Sequence, residues 1–275
     1  MKCFFHRADL DGQCSGAIIY QYTNAMCEMI GINYADAFPW DSIKKGETVY
    51  MADFSLPREE MIQLDAMSYL VWLDHHDTAI QEMSGLELDG IQRNGIGACA
   101  LVWEFIHKTE LPEAVKLLAK YDVWDHTNPK TLPFQYAMGL EYTWIDAVIW
   151  DSVFESNSHW ILKMVNIGKI VQKRVNKDNK SYIKAFGFPT TFAGYSAIAV
   201  NRGMCNSLIF DSIEEDYELM ITFAFKGGHW NFSLYTQQEY VHCGELAKEY
   251  GGGGHRQAAG FRLDYIPSEI TGGQV

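Results

Sequence analysis

The chain has little positive charge, no paired cysteines and no long apolar run. Lys and Arg number 22 against 35 Asp and Glu, a formal charge of −13. Gripping a long phosphate backbone requires clustered cations, so broad binding of long duplex nucleic acid is excluded and any nucleotide substrate should be short. The six cysteines, Cys3, Cys14, Cys27, Cys99, Cys205 and Cys243, are scattered without a C-x-x-C pair. That argues against a disulfide framework or structural zinc site and leaves reduced, mostly buried thiols. No run of about 20 apolar residues occurs, and His6, Arg7 and Asp9 interrupt the N-terminus before a signal sequence could form. The expected location is cytoplasmic, with no membrane partner.

What is present is enough apolar surface for more than one core. At 275 residues and 48% hydrophobic content, two domains are expected. The opening reads as a strand over Lys2 to Phe5, a polar turn from His6 to Gly12, and a helix from near Ser15 that carries Ala17, Ile18, Met26 and Ile30. The apolar runs Val49 to Ala52 and Leu70 to Leu73 each end in an aspartate. Helical patterns cover Arg58 to Met67, Gly97 to His107 and Pro112 to Tyr121. Alternating strands and helices predict crossover units and a mainly parallel sheet. A long helix over Ser158 to Asn176 leads to the polar run Asn176 to Ser181, read as a connector. From Ala185 the pattern turns β-rich, with strands over Ala197 to Val200, Leu219 to Phe225 and Trp230 to Tyr235 and a helix over Cys243 to Tyr250. The fold class expected is α/β: a parallel-sheet domain over 1–155, a connecting helix and linker over 156–184, and a smaller mixed α/β domain over 185–275.

In a parallel sheet, ligands bind beyond the carboxyl ends of the strands, where Asp9, Asp11, Asp53, Asp74, His75 and His76 would converge. His6-Arg-Ala-Asp9-Leu-Asp11-Gly12 puts one imidazole and two carboxylates on a strand-to-helix turn. Oxygen-rich sites with some imidazole suit Mn²⁺ or Mg²⁺ better than thiolate zinc chemistry. Asp74-His75-His76-Asp77 follows a buried-looking strand, Asp53 closes another and Asp122 closes a helix. Each motif alone fits an ordinary loop or helix cap; four in one α/β domain supply the ligand set of a two-metal centre. The run Gly251 to Gly254 before His255 and Arg256 lets backbone approach a phosphate closely, and no Gly-Lys-Ser/Thr follows to make it a Walker loop.

These motifs resemble those of the DHH phosphoesterases, a superfamily of RecJ-like exonucleases, short-oligoribonucleotide and cyclic-dinucleotide phosphodiesterases and manganese pyrophosphatases. His6, Asp9, Asp11 and Gly12 match the first motif, Asp53 the second, Asp74-His75-His76 the third and Asp122 the fourth. Gly251 to Gly254, His255, Arg256 and Ala258 to Phe261 resemble the glycine-rich motif of the DHH-associated substrate-binding domain. Three features depart from the pattern. His6 and Asp9 are one residue closer than in many members, Asp125 rivals Asp122 for the fourth motif, and Tyr235 stands where relatives often carry a substrate-holding arginine.

The resemblance implies two manganese ions, with magnesium as the alternative. One would be held by His6 and Asp9, the other by Asp11, His75 and Asp122, and Asp53 would bridge them. His76 would stabilise phosphoryl oxygens, and Asp74 would anchor the imidazoles. Gly252, Gly253, Gly254, His255 and Arg256, with Arg202 and Asn206 near a C-terminal strand end, are candidate substrate contacts. The expected activity is hydrolysis of short oligonucleotides or small dinucleotides, and the resemblance is compatible with a homodimer. Rival readings are a single-strand exonuclease, a cyclic-dinucleotide phosphodiesterase, a 3′,5′-bisphosphate nucleotide phosphatase, an inorganic pyrophosphatase and a catalytically silent nucleotide-binding module.

Overall fold

The computed structural model describes residues 1–34, 36–254 and 256–271. It divides into two compact units, Met1–Gln172 and Lys173–Val275.

The first unit is organised by strands whose alternate side chains face opposite layers. Strands β1 (Lys2–His6), β2 (Glu28–Ile32), β3 (Thr48–Ala52), β4 (Tyr69–Asp74) and β5 (Asp89–Gln92) pair in parallel in the order β2-β1-β3-β4-β5. Phe4, Val49, Met51, Leu70 and Trp72 enter one core, while Cys3, Phe5, Tyr50, Ala52, Val71 and Leu73 enter another. A strand buried on both faces loses the polar alternation of a half-exposed one, which is why these segments read as continuous apolar runs. Helices α1 (Leu10–Tyr22), α4 (Ala98–His107), α5 (Glu113–Asp122), α6 (Thr131–Met138) and α7 (Ile149–Glu155) supply the second core. Helices α2 (Arg58–Met67) and α3 (Asp77–Glu82) supply the first. The strand order reverses between β1 and β3, the switch point at which such sheets open a crevice.

Two expectations are corrected here. The first helix starts at Leu10, not near Ser15, because Asp9 caps it by accepting from Gly12 N at 2.9 Å. It ends at Tyr22, and Met26 and Ile30 belong to neither turn of it: Glu28–Ile32 is β2, separated by Asn24 and Ala25 in left-handed conformation. The polar run Asn176 to Ser181, expected as a connector following the helix, is itself helical. It lies inside α8 (Ser158–Phe186), where Arg174 and Asp178 pair at 2.7 Å one turn apart and the first Gly or Pro after the run is Gly187.

The second unit holds β6 (Phe188–Phe192), β7 (Tyr195–Asn201), β8 (Leu219–Lys226), β9 (His229–Tyr235), helix α9 (Cys243–Glu249), β10 (Gly253–Gly254) and β11 (Ala258–Leu263). The sheet order is β10-β11-β9-β8-β7-β6; β7 and β8 are parallel and the other pairs antiparallel. Its core is aromatic, with Phe192, Phe232 and Tyr250 packed around Phe261 at ring separations of 6.0, 4.8 and 4.7 Å.

Candidate metal centre

Each acidic residue of the crevice is delivered by the end of a regular element. His6 closes β1, and the turn after it is so tight that a Cβ on Gly12 would lie 2.0 Å from the His6 carbonyl oxygen. Asp11, in the first turn of α1, is 2% exposed and accepts from the Ala98 and Cys99 amides at 2.6 and 3.1 Å. These amides begin α4, so the helix dipole supports the carboxylate. Gly97 permits the approach, since a Cβ there would be 2.6 Å from Asp11 Oδ1. Asp53 follows β3 with φ of 55°, a left-handed conformation that Asp and Asn tolerate better than most residues. Asp122 is the last residue of α5, the end of a helix where a negative charge is disfavoured by the dipole.

These ends bring six side chains together. His6 Nδ1 lies 2.7 Å from Asp9 Oδ2 and 3.6 Å from Asp53 Oδ2. His75 Nε2 lies 3.0 Å from Asp122 Oδ2, 3.2 Å from Asp53 Oδ1 and 3.9 Å from Asp11 Oδ2. Asp53 thus turns one oxygen to each histidine. Three overlapping candidate ligand groups result among the described residues: His6 with Asp9 and Asp53, Asp11 with His75 and Asp122, and Asp53 with Asp74, His75 and His76.

The residues fit divalent ions on a test internal to the fold. Asp53 Oδ1 and His75 Nε2 are buried, yet neither makes an aligned hydrogen bond. Buried polar atoms left without a well-formed hydrogen bond are costly, and a divalent cation would satisfy a carboxylate oxygen and a deprotonated imidazole nitrogen together. The electrostatics agree. Burial disfavours charge on His75, but the Asp122 and Asp53 carboxylates outweigh it and raise the imidazole to about 11. Burial is likewise outweighed at His6 by Asp53 and Asp9, which raise it to about 10. Asp11 and Asp53 are pushed upward by burial first and then by neighbouring carboxylates. The cluster is a sink for positive charge.

His76 and Asp74 have other tasks. Asp74, fully buried, accepts from the His75 and His76 amides, from Trp72 Nε1 at 3.2 Å and from His76 Nδ1 at 2.7 Å. That fixes the His76 ring, with burial opposing and Asp74 raising its pKa. Asp125 is drawn away into a pair with Lys120 and Thr127, leaving Asp122 beside His75.

The candidate contacts of the second unit are engaged within it. A Cβ on Gly252 would meet the Gly260 carbonyl oxygen at 2.1 Å, and Gly254, at φ of 142°, would clash with Ala259; Gly253 faces open space. Arg256 donates to the Gln238 and Glu239 carbonyls. Arg202 donates to Asn179 Oδ1 at 3.2 Å and sits 4.6 Å over the Tyr182 ring, while Asn206 caps a short 3₁₀ turn. His255 lies outside the described residues.

No family model matches the chain. A curated relative, an uncharacterized protein of Acanthamoeba polyphaga mimivirus, is 24% identical over 248 residues, 81% of this chain and 54% of its own length. The chain therefore spans about half the length of that relative. Among solved structures, the DHH domain of a member of the s1p family of ribosomal proteins superposes with a TM-score of 0.62 at 12% identity, covering 98% of this chain and 84% of the other. The chain has the DHH fold. A pGpG-specific phosphodiesterase from Vibrio cholerae superposes at 0.57 with 16% identity over 95% and 92% of the two chains. An exopolyphosphatase-related protein from Bacteroides fragilis does so at 0.54 with 14% identity over 98% and 88%.

Within this DHH fold two contributors to the crevice carried no motif. Tyr34, two residues past β2, packs its ring against His6, Phe54 and His76 at 5.7, 4.8 and 6.2 Å. Trp72 reads as core but also ties Asp74 to the Phe54 carbonyl. Gly97, just before a helix start, is the sole local signal that α4 would hold Asp11.

Proposed function

We propose that the chain is a metal-dependent phosphodiesterase of the cytoplasm, hydrolysing short oligonucleotides or small dinucleotides with two manganese ions, magnesium being the alternative. The observation that carries this reading is the pair of buried atoms Asp53 Oδ1 and His75 Nε2, 3.2 Å apart with no aligned hydrogen bond to either, amid further carboxylates. His6 and Asp9 would hold one ion, Asp11, His75 and Asp122 the other, and Asp53 would offer an oxygen to each. Ions so held supply Lewis acidity to phosphoryl oxygens and bring the pKa of water near neutrality.

The chain's own residues account for the rest. His76, locked through Nδ1 on Asp74, keeps its other ring nitrogen for a phosphoryl oxygen, and its raised pKa supplies charge or a proton there. Asp11, tied to two amides, is held in one rotamer. In the second unit Gly253, Arg256 and Arg202 are the proposed substrate contacts, with Gly252 and Gly254 shaping the loop. The net charge of −13 supports a short substrate over a long strand. The fold shared with a pGpG-specific phosphodiesterase supports a nucleotide-sized one.

The test is hydrolysis of RNA dinucleotides, longer single-stranded RNA and DNA, cyclic dinucleotides and a 3′,5′-bisphosphate nucleotide, with Mn²⁺, Mg²⁺ or chelator. Manganese-dependent cleavage falling off with length is the expected result. Measurable nucleotide binding without turnover of any substrate overturns the reading.

A further inference from the structure

Beside the candidate metal centre, and wholly inside the first unit, lies a cleft of about 740 Å³ that counts His76 among its lining residues. Its walls include Tyr34, Phe38, Trp40 and Phe54, with Phe38 and Trp40 in edge contact at 4.8 Å. Its polar lining is acidic, and no Lys or Arg is among the lining residues. A phosphate is therefore the wrong occupant. An aromatic slot suits a flat heterocycle, because base–aromatic stacking needs no particular base. Selection must come from the polar groups.

Of the three carboxylates on the cleft, Asp36 is paired with Arg7 at 3.0 Å and Glu82 accepts from the Arg58 amide at 3.1 Å. Glu60, on the first turn of α2 and half-buried, makes no ion pair among the described residues. A carboxylate is an acceptor with two oxygens. Adenine and cytosine present one amino donor beside a ring acceptor, and uracil presents one imino donor between two carbonyls. Guanine alone offers adjacent imino and amino donors, which match a carboxylate bidentately.

We propose that this cleft is a guanine-selecting base subsite, with Tyr34 and Trp40 as the stacking wall and Glu60 as the acceptor for the base's imino and amino groups. The inference rests on the phosphodiesterase reading, since the base is placed next to the phosphate that His76 would meet.

The experiment is a titration of GMP, AMP, CMP and UMP into the full chain with Mn²⁺, read by tryptophan fluorescence and by calorimetry. It is run for wild type, Glu60→Gln and Tyr34→Leu. GMP should bind about 10- to 100-fold tighter than the others, the range one bidentate pair provides. Glu60→Gln should erase the preference while leaving AMP affinity in place, and Tyr34→Leu should weaken all four. Equal affinity for the four nucleotides, no binding of any of them, or an undiminished GMP preference in Glu60→Gln overturns the proposal. Wild-type hydrolysis of bis(p-nitrophenyl) phosphate, which has no base, is measured alongside. Its absence counts against the phosphodiesterase reading, whereas the binding titration decides the subsite either way.

Discussion

Asp53→Asn isolates the charge of the carboxylate that faces both histidines. Asn keeps the side-chain volume and tolerates the left-handed backbone at φ of 55°, whereas Ala there would add about 1 kcal/mol of strain. In the metal-free protein, burial and the neighbouring carboxylates raise the Asp53 pKa, so its ionised form is disfavoured by the fold. A neutral isostere should melt at or above the wild-type temperature without metal. Metal reverses the order. A ligand at 100 times its Kd stabilises by about 2.7 kcal/mol, which for a unit of this size raises Tm by about 5–11 °C. Removing one partner of a buried ionic contact costs about 3–5 kcal/mol, or roughly 10²- to 10⁴-fold in affinity. At the same Mn²⁺ concentration the variant should keep about 1 °C of the shift or less. The assay is thermal unfolding with Mn²⁺ and with chelator, together with dinucleotide turnover. A full manganese-induced shift in Asp53→Asn, or a metal-free Tm several degrees below wild type, refutes the reasoning.

Asp122→Asn should lower manganese affinity about 10-fold or more, while Asp125→Asn, which loses only the Lys120 and Thr127 contacts, should bind manganese as wild type does; titration calorimetry separates the two. Gly97→Ala would drive a Cβ to 2.6 Å from Asp11 Oδ1 and 2.8 Å from Ala119 Cα, so unfolding should be easier by about 1–3 kcal/mol, with Mn²⁺ affinity reduced. Loading should also release protons. His6 and His75, raised to about 10 and 11 in the metal-free protein, are protonated at neutral pH and must become neutral to ligate. Apparent manganese affinity should therefore rise between about pH 6 and 8, and calorimetry in buffers of different ionisation enthalpy should show net proton release; a pH-independent affinity contradicts it.

The legible part of this protein was the part that periodicity and end-of-element chemistry control. Strands buried on both faces announce themselves as apolar runs, and Asp53, Asp74 and Asp122 stand where such runs or helices stop. β2 was hidden because Glu28–Ile32 carries a glycine and only one fully buried residue, so its apolar positions merged with those of α1. The Asn176 to Ser181 stretch misled for the opposite reason. A run of Lys, Asn and Asp looks like a linker, but an i,i+4 ion pair, a buried Asn179 and the lack of Gly or Pro let a helix run through it. Tyr34 could not be found by pattern, since a loop tyrosine becomes a crevice wall only once β1 and β4 bring His6 and His76 within reach.

One physical tension links these observations. An acidic chain is a poor candidate to attract phosphate, and the crevice gathers four carboxylates, Asp9, Asp11, Asp53 and Asp122. The tension resolves because the fold spends helix dipole, buried amides and a left-handed aspartate on keeping carboxylates close together, where without a cation they must draw protons onto His6 and His75. Asp122 at a helix C-terminus adds to the crowding. Loaded with divalent ions, as proposed, such a site would take on the sign of a phosphate receptor. The neighbouring cleft, acidic and aromatic, keeps its sign in both states. Its selectivity among nucleotides should accordingly persist in chelator, where affinity for the phosphate is lost.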